Sequence, residues 1–185
     1  MYEVKKFENL IGMSGLSEEL FKNHFTLYEG YVKHLNLLIE KIPTKESQEM
    51  DELKRRFGWE FNGVRLHELF FGNITKNSIF PEESSTFYQK IAREFGSFEH
   101  LLKNIKDSMA IRGIGWVVLY YDQEADNMFV TWVNEHDQGH LVGCKPLLVL
   151  DVFEHAYMLD YGTKRADYIE AIVKQIDWEV VGGRI

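Results

Sequence analysis

A carboxylate and an imidazole stand four residues apart in the apolar segment DVFEHAYMLDYG, residues 151–162. At that spacing Asp151 and His155 share one face of a helix, where they can hydrogen-bond each other. Ionisable groups among buried apolar neighbours are costly unless they are paired or bind a metal. This segment alone is compatible with either a simple hydrogen-bonded pair or a metal site, and the apolar neighbours favour the metal site.

Two further histidines lie on apolar faces of predicted helices. Apolar residues recur with a helical period between Leu20 and Ile39, and His24 falls on that stripe. His67 lies among the apolar residues of the segment GVRLHELFF. Each histidine alone is more often a core residue satisfied by hydrogen bonds, so the two gain weight as metal ligands only together with Asp151 and His155.

The composition is that of a globular chain with a large core: 185 residues, 45% of them hydrophobic. A formal net charge of −8 argues against nucleic-acid binding, and the basic run KRR at 54–56 is too short to change this. Cys144 is the single cysteine, which excludes an internal disulfide and a cysteine-rich zinc site. Apolar runs of membrane-spanning or signal-peptide type are missing, and we expect a cytoplasmic protein with neither a membrane nor a nucleic-acid partner.

The elements that carry these residues form an α+β pattern. A long antiparallel helical hairpin precedes a three-stranded antiparallel sheet with flanking helices. The polar segment 75–85 is the predicted linker. It divides the chain into an N-terminal helical hairpin domain, residues 1–84, and a C-terminal α/β domain, residues 85–185, with the metal site between them.

Local signals set the element boundaries. Ser17 is a predicted N-cap, Pro43 ends the first long helix, and Thr44 caps the second. The second long helix is predicted to run from about residue 45 into the low 70s. Further helices are predicted at about 86–95, 98–110 and 166–176. Strands are predicted at 116–122, 128–134 and 146–150.

The segment DVFEHAYMLDYGTKRADY resembles DVWEHAYYLxYxxxRxxY, the signature of the iron/manganese superoxide dismutase family. The similarity covers nearly the whole chain. HFTLYEGYVKHLN is similar to the first-ligand helix of the family, FNGVRLHELFF to the second, GIGWVVLYYD to the first strand and WVNEHDQGH to the segment before the third strand.

The resemblance implies an oxidoreductase that converts superoxide to dioxygen and hydrogen peroxide. Its metal ligands would be His24, His67, Asp151 and His155, holding one Fe or Mn ion per chain together with a solvent molecule. Three nitrogens and one hard oxygen suit either metal. Tyr31 would be the tyrosine at the mouth of the substrate channel, although it follows His24 by seven residues where many members of the family have eight.

The resemblance also implies self-association as a homodimer or a dimer of dimers. Glu154 would bridge to the ligand histidine of the neighbouring subunit. Met158 and Leu27 stand where the family has a tyrosine and a histidine that pair between subunits, so an apolar contact replaces that pair. Phe153 replaces the signature tryptophan and should still line the pocket.

The family usually has a glutamine that hydrogen-bonds the metal-bound solvent. One source of that glutamine is the position of Gly63, which has no side chain, and the other aligns with His136 in NEHD. His140 is an alternative by a small shift. Imidazole titrates near neutrality, with an unperturbed pKa of about 6.5, so a histidine here would make the redox balance depend on pH.

Two other function classes remain. A degenerate member of the family acting as a structural or interaction protein would lose ligands, whereas all four ligand types are present. A carboxylate-bridged site for two metals would require paired Glu-x-x-His motifs, which the four positions do not supply. Arg165, Lys33 and Arg65 are candidates for attracting an anionic substrate to an acidic protein.

Overall fold

The structure, a computed structural model, describes residues 1–42 and 47–185. The predicted helix break at Pro43 and the predicted cap at Thr44 lie outside the described residues. Within the described ranges, no helix is both long enough and apolar enough to cross a membrane.

Two long helices form the N-terminal half. Helix α1 spans Glu18–Lys41 and α2 spans Ser47–Gly72. The predicted N-cap of α1 is confirmed, because the Ser17 hydroxyl accepts a hydrogen bond from the Leu20 backbone amide at 3.0 Å. The apolar stripe of α1 faces α2, and both candidate histidines are buried at this contact.

The C-terminal half contains α3, Thr86–Phe95, and α4, Phe98–Met109, followed by three strands. The strands are β1, Gly115–Asp122, β2, Asn127–Asn134, and β3, Lys145–Asp151, and they form an antiparallel sheet in the order β2-β1-β3. This agrees with the predicted α+β fold class. The central strand β1 is buried on both faces from Gly115 through Tyr121, which explains its nearly continuous run of apolar residues.

Three short helices follow the sheet: α5, Met158–Tyr161, α6, Arg165–Val173, and α7, Trp178–Gly182. The sequence predicts a single last helix at 166–176, whereas α6 ends at Val173 and a separate helix, α7, follows it. Asp177 begins α7 by accepting a hydrogen bond from the Val180 amide at 3.1 Å. Helices of four and five residues are too short to show a helical period in a sequence.

A buried asparagine joins α2 to the sheet. Asn73, just after α2, donates from Nδ2 to the Val149 carbonyl at 3.1 Å and accepts from the Val149 amide at 2.9 Å. Because Val149 lies two residues before Asp151 on β3, this contact holds the last turns of α2 beside the end of that strand. The hairpin and the sheet thereby bring their candidate ligands together.

Candidate metal centre

The two histidines of the hairpin face each other across α1 and α2. His24 and His67 are 2% and 0% exposed, and their ring centroids lie 5.1 Å apart. Phe71 lies against the His24 ring at 4.9 Å, and Trp116 lies against His67 at 5.0 Å. These aromatic neighbours fix the rings and exclude water from the space between them.

The hydrogen bond of His67 determines which of its nitrogens is free. Nδ1 donates to the Gly63 carbonyl at 2.6 Å, because a carbonyl oxygen can only accept. In the neutral ring the lone pair is then on Nε2, which is buried and has no hydrogen-bond partner. A buried polar atom without a partner is costly, and a metal ion would satisfy it.

Asp151 is the last residue of β3, and it is fully buried. Its Oδ1 accepts from the Phe153 amide at 2.8 Å, and its carbonyl oxygen accepts from the Tyr168 hydroxyl at 2.8 Å. Oδ2 faces the histidines, 3.1 Å from His24 Nε2 and 3.2 Å from His155 Nε2. His155 lies in a short 3-10 turn, Glu154–Ala156, directly after the strand.

One ligand atom from each of these four residues lies within 4.8 Å of the others. The Asp151 Oδ2 to His67 Nε2 distance is 3.9 Å. Metal–ligand bonds of roughly 2.0–2.2 Å place the ligands of one ion about 3–4 Å from each other. The donor set and the unpartnered Nε2 of His67 therefore fit a single metal ion.

The protonation states also suit metal binding. Burial lowers the pKa of His24, and it holds the pKa of His67 well below its ordinary value. Burial alone would raise the pKa of Asp151, but the hydrogen bonds of His155 and His24, together with the positive charge that these rings carry when protonated, outweigh it and keep that pKa well below the usual range. The resulting set is an ionised carboxylate with neutral imidazoles at His24 and His67, which is the form that coordinates a metal.

A second polar group lies beside the four ligands. His136, in the turn after β2, is 0% exposed, and its Nε2 is 2.6 Å from the Tyr31 hydroxyl. The Tyr31 ring centroid is 5.2 Å from that of His67. The structure therefore brings Tyr31 and His136 together at the edge of the candidate metal site.

Trp116 fixes the orientation of the His136 ring. Its indole Nε1, which can only donate, is 3.1 Å from His136 Nδ1. Burial lowers the pKa of His136 to about 4, so the ring is neutral at pH 7 and its proton is on Nε2. Nε2 then donates to the Tyr31 oxygen. The expected titration of this histidine near neutrality was wrong, because the ring is buried and one nitrogen already accepts a hydrogen bond.

His140 occupies a different position. Its Nε2 donates to the backbone carbonyl of His136 at 2.9 Å, and its Nδ1 is 2.7 Å from the Tyr120 hydroxyl. Neither ring nitrogen faces the four ligands.

Comparisons with known proteins agree with this geometry. The sequence model of the C-terminal domain of iron/manganese superoxide dismutases matches residues 83–184. A protein named superoxide dismutase [Fe] from Aquifex pyrophilus is 35% identical over 184 residues, covering 93% of this chain and 85% of that protein. The chain belongs to the iron/manganese superoxide dismutase family. Relatives named for both metals match it: superoxide dismutase [Fe] of Aquifex aeolicus is 34% identical, with 93% and 85% of the two chains covered, and superoxide dismutase [Mn] 2 of Haloferax volcanii is 32% identical, with 91% and 86% covered.

In this superoxide dismutase family member, the Tyr31 ring packs against α2 at Gly63. A β-carbon at Gly63 would lie 2.5 Å from Cδ1 of the Tyr31 ring. The phenol ring therefore occupies the space into which a side chain from this position of α2 would extend. A glycine inside a helix costs stability and is often explained by close packing. That explanation holds at Gly63 and not at Gly58 on the same helix, where a β-carbon would meet nothing within 4 Å.

Two residues near the site were missed from the sequence. Trp59 packs against His136 with ring centroids 4.8 Å apart, and the Arg56 guanidinium lies 5.0 Å from the Trp59 ring centroid. Trp59, Gly63 and His67 follow each other at intervals of four residues, which places them on one helical face. That spacing was the available signal.

The candidates for attracting an anion have different surroundings. Arg65 pairs with Glu68 at 2.6 Å and lies over the Tyr2 ring, so its charge is already engaged. Arg165 donates to the Gly113 carbonyl at 2.9 Å and lies over the Trp132 ring, while Lys33 is exposed on α1.

Proposed function

We propose that this protein is a superoxide dismutase that converts superoxide to dioxygen and hydrogen peroxide at one Fe or Mn ion. The observation that carries the proposal is the convergence of three imidazoles and one ionised carboxylate around the unpartnered Nε2 of His67. In this proposal His24, His67, Asp151 and His155 are the metal ligands. The family relatives named for iron and for manganese support either metal.

The reaction joins two superoxide anions and two protons to give one dioxygen and one hydrogen peroxide. The bound ion supplies the one-electron chemistry. The protein has to exclude bulk water, hold the ligands in place and provide hydrogen-bond donors where negative charge develops. The buried aromatic residues around the histidines support the first of these roles.

We assign the hydrogen-bonding role to Tyr31 and His136. Trp116 donates to His136, and the neutral His136 donates to the Tyr31 oxygen, so the phenolic hydrogen of Tyr31 remains available for another acceptor. Burial is the main reason that the pKa of Tyr31 is raised to about 12, with smaller contributions from Asp151 and Glu60, which keeps this hydrogen in place. Tyr31 would therefore donate to superoxide or to metal-bound solvent, and His136 would orient it. Because both ring nitrogens of His136 already bond Trp116 and Tyr31, His136 would act on that solvent through Tyr31 and not by a hydrogen bond of its own.

The two competing functions have less support. A degenerate family member would be expected to lose part of the ligand set, whereas all four residues converge within the described ranges. A site for two metals needs bridging carboxylates, and Asp151 is the one carboxylate in this cluster. Metal analysis separates these cases, because a dismutase of this kind binds about one ion per chain.

The proposal includes the organisation of the chain. A boundary near residue 84 is supported by the match of the family's C-terminal domain model to residues 83–184. Self-association through Glu154 is supported by the exposed apolar residues beside it, Met158 and Leu159. A cytoplasmic location and the lack of a nucleic-acid partner follow from the sequence arguments, and cell fractionation and DNA titration would test them.

The test of the function is a measurement of superoxide consumption by purified protein of known metal content. We expect activity with bound iron or manganese, none after the metal is chelated, and recovery when either ion is restored. Zinc, which accepts the same ligand types but has no redox chemistry, is the control ion and should bind without restoring activity. Activity that is equal in the metal-free and metal-loaded protein would contradict the proposal.

A further inference from the structure

The loop that carries His136 is unusually constrained. Asn134 and Gln138 pair as an isolated bridge, with the Asn134 amide donating to the Gln138 carbonyl at 2.8 Å. Glu135 has a φ of 52° and Gly139 a φ of 99°, both in the left-handed region. This conformation turns the chain back on itself and directs the His136 ring inward.

One side chain holds the backbone of His136 from within the same loop. His140 Nε2 donates to the His136 carbonyl at 2.9 Å. Because that carbonyl can only accept, the His140 proton is fixed on Nε2. In the neutral ring Nδ1 is then an acceptor, and it receives the Tyr120 hydroxyl at 2.7 Å.

Tyr120 anchors this arrangement in the sheet. It is 3% exposed and lies on the central strand β1, four residues after Trp116. The same strand therefore fixes His136 twice: Trp116 bonds its ring, and Tyr120 supports its backbone through His140. One contact therefore holds the ring of His136, and the other holds its backbone carbonyl.

We propose that His140, braced by Tyr120, is a positioning residue that sets where the His136 ring stands relative to Tyr31 and the metal site. The proposal rests on the role assigned to His136 above. Without the bond from His140, the His136 carbonyl loses its side-chain donor, and the left-handed turn can relax. A displacement of about 0.5 Å is enough to spoil a preorganised hydrogen bond, such as the 2.6 Å contact between His136 and Tyr31.

Three variants isolate the bond. His140→Leu removes both hydrogen bonds and replaces the ring with an apolar side chain. His140→Gln keeps an N–H donor near the position of Nε2. Tyr120→Phe removes only the hydroxyl. His100→Leu is the matched control, because His100 is an exposed histidine on α4. For each purified holoprotein, bound metal per chain, the midpoint potential of the metal and the dismutation rate are measured.

We expect His140→Leu to retain about one metal ion per chain while its dismutation rate falls by about tenfold, the lower end of the range for groups that support metal ligands. Its midpoint potential should shift. His140→Gln should restore both properties towards those of the wild type, Tyr120→Phe should show a smaller change in the same direction, and His100→Leu should show none.

A His140→Leu protein with unchanged potential and rate overturns the proposal. So does a His140→Gln protein as impaired as His140→Leu, because the N–H donor would then be irrelevant, and so does loss of metal, which would indicate a general structural role. If His140→Leu does not fold, Tyr120→Phe decides: a shifted potential with full metal supports the brace, and an unchanged potential overturns it. The potential is read without turnover, so an inactive wild type would refute the proposed function separately from the brace.

Discussion

At the scale of single residues, unused hydrogen-bonding capacity distinguishes a ligand histidine from a structural one. His136 and His140 use both ring nitrogens in bonds to protein groups. His67 uses one, and its second nitrogen is buried without a partner beside Asp151. The three histidines cannot be told apart by residue type in the sequence, and their hydrogen bonds in the structure separate them.

His67→Ala or Asp151→Ala should abolish metal retention and dismutation together. Each change removes one of the four proposed metal ligands, and His67→Ala removes the buried nitrogen that has no hydrogen-bond partner. Metal content by elemental analysis and superoxide consumption are the measurements. His100→Ala, on an exposed surface, should retain one ion per chain and full activity. Full metal occupancy in either ligand variant would defeat the assignment.

His136→Gln should keep the metal and change the activity or the metal preference, because His136 bonds Tyr31 and is not a ligand. An effect of roughly tenfold is the scale for such supporting groups. Burial sets the pKa of His136 to about 4, and a bound cation would lower it further. As the pH rises from 5 to 8 the ring stays neutral, so the wild-type rate should show no inflection from this group in that range.

The inflection expected from His136 lies near pH 4, where protonation places a second N–H against the Trp116 donor. The His136→Gln rate profile should lack it. His140→Gln serves as a comparison and should change the rate much less. A wild-type inflection near pH 6.5 that disappears in His136→Gln would contradict the neutral assignment.

At the scale of elements, the long helices and the strands were predictable because their apolar periods extend over many residues. The short helices α5 and α7 were not, since each is fixed by caps and tertiary contacts that leave no period in the sequence. The four ligand positions were predictable by resemblance. The contact between Tyr31 and Gly63 was not, because it depends on how two helices approach each other, and a glycine without neighbours, such as Gly58, looks the same in the sequence.

Gly63→Ala should disturb the Tyr31 to His136 bond without removing the metal. The added methyl group would lie 2.5 Å from Cδ1 of Tyr31, so the ring has to move away from its 2.6 Å contact with His136. Helix propensity favours the alanine by about 1 kcal/mol, and overpacking costs about 1–3 kcal/mol, so a thermal melt should show a small net change.

The dismutation rate should fall in Gly63→Ala, with metal content unchanged. Gly58→Ala on the same helix is the matched control, because its methyl group meets nothing within 4 Å. It should gain up to about 1 kcal/mol of stability and keep the wild-type rate. Equal rates in the two variants would show that the position of Tyr31 does not matter for turnover.

At the scale of the whole molecule, the metal site opens towards an apolar surface. The side chain of the proposed ligand His155 is 24% exposed, and it lines a 420 Å³ surface cavity together with Glu154, Met158 and Leu159. Exposed apolar side chains grouped around a functional residue are typical of an interface. This surface is where we propose, from the family resemblance, that a second copy of the chain binds, with Glu154 near the ligand histidine of its neighbour.

Met158→Asp should therefore weaken self-association and lower activity together. We expect the wild type to have a native mass of at least twice the 21.8 kDa chain by light scattering. A carboxylate at position 158 would have to be desolvated, or to repel Glu154, when two copies meet. Val142→Asp is the control, because Val142 is 99% exposed at a surface away from this cavity, and it should leave the mass unchanged. A wild type that has the mass of one chain while fully active would remove the second copy from the proposal, and His155 would then have to keep its orientation through Asp151 and Phe153 alone.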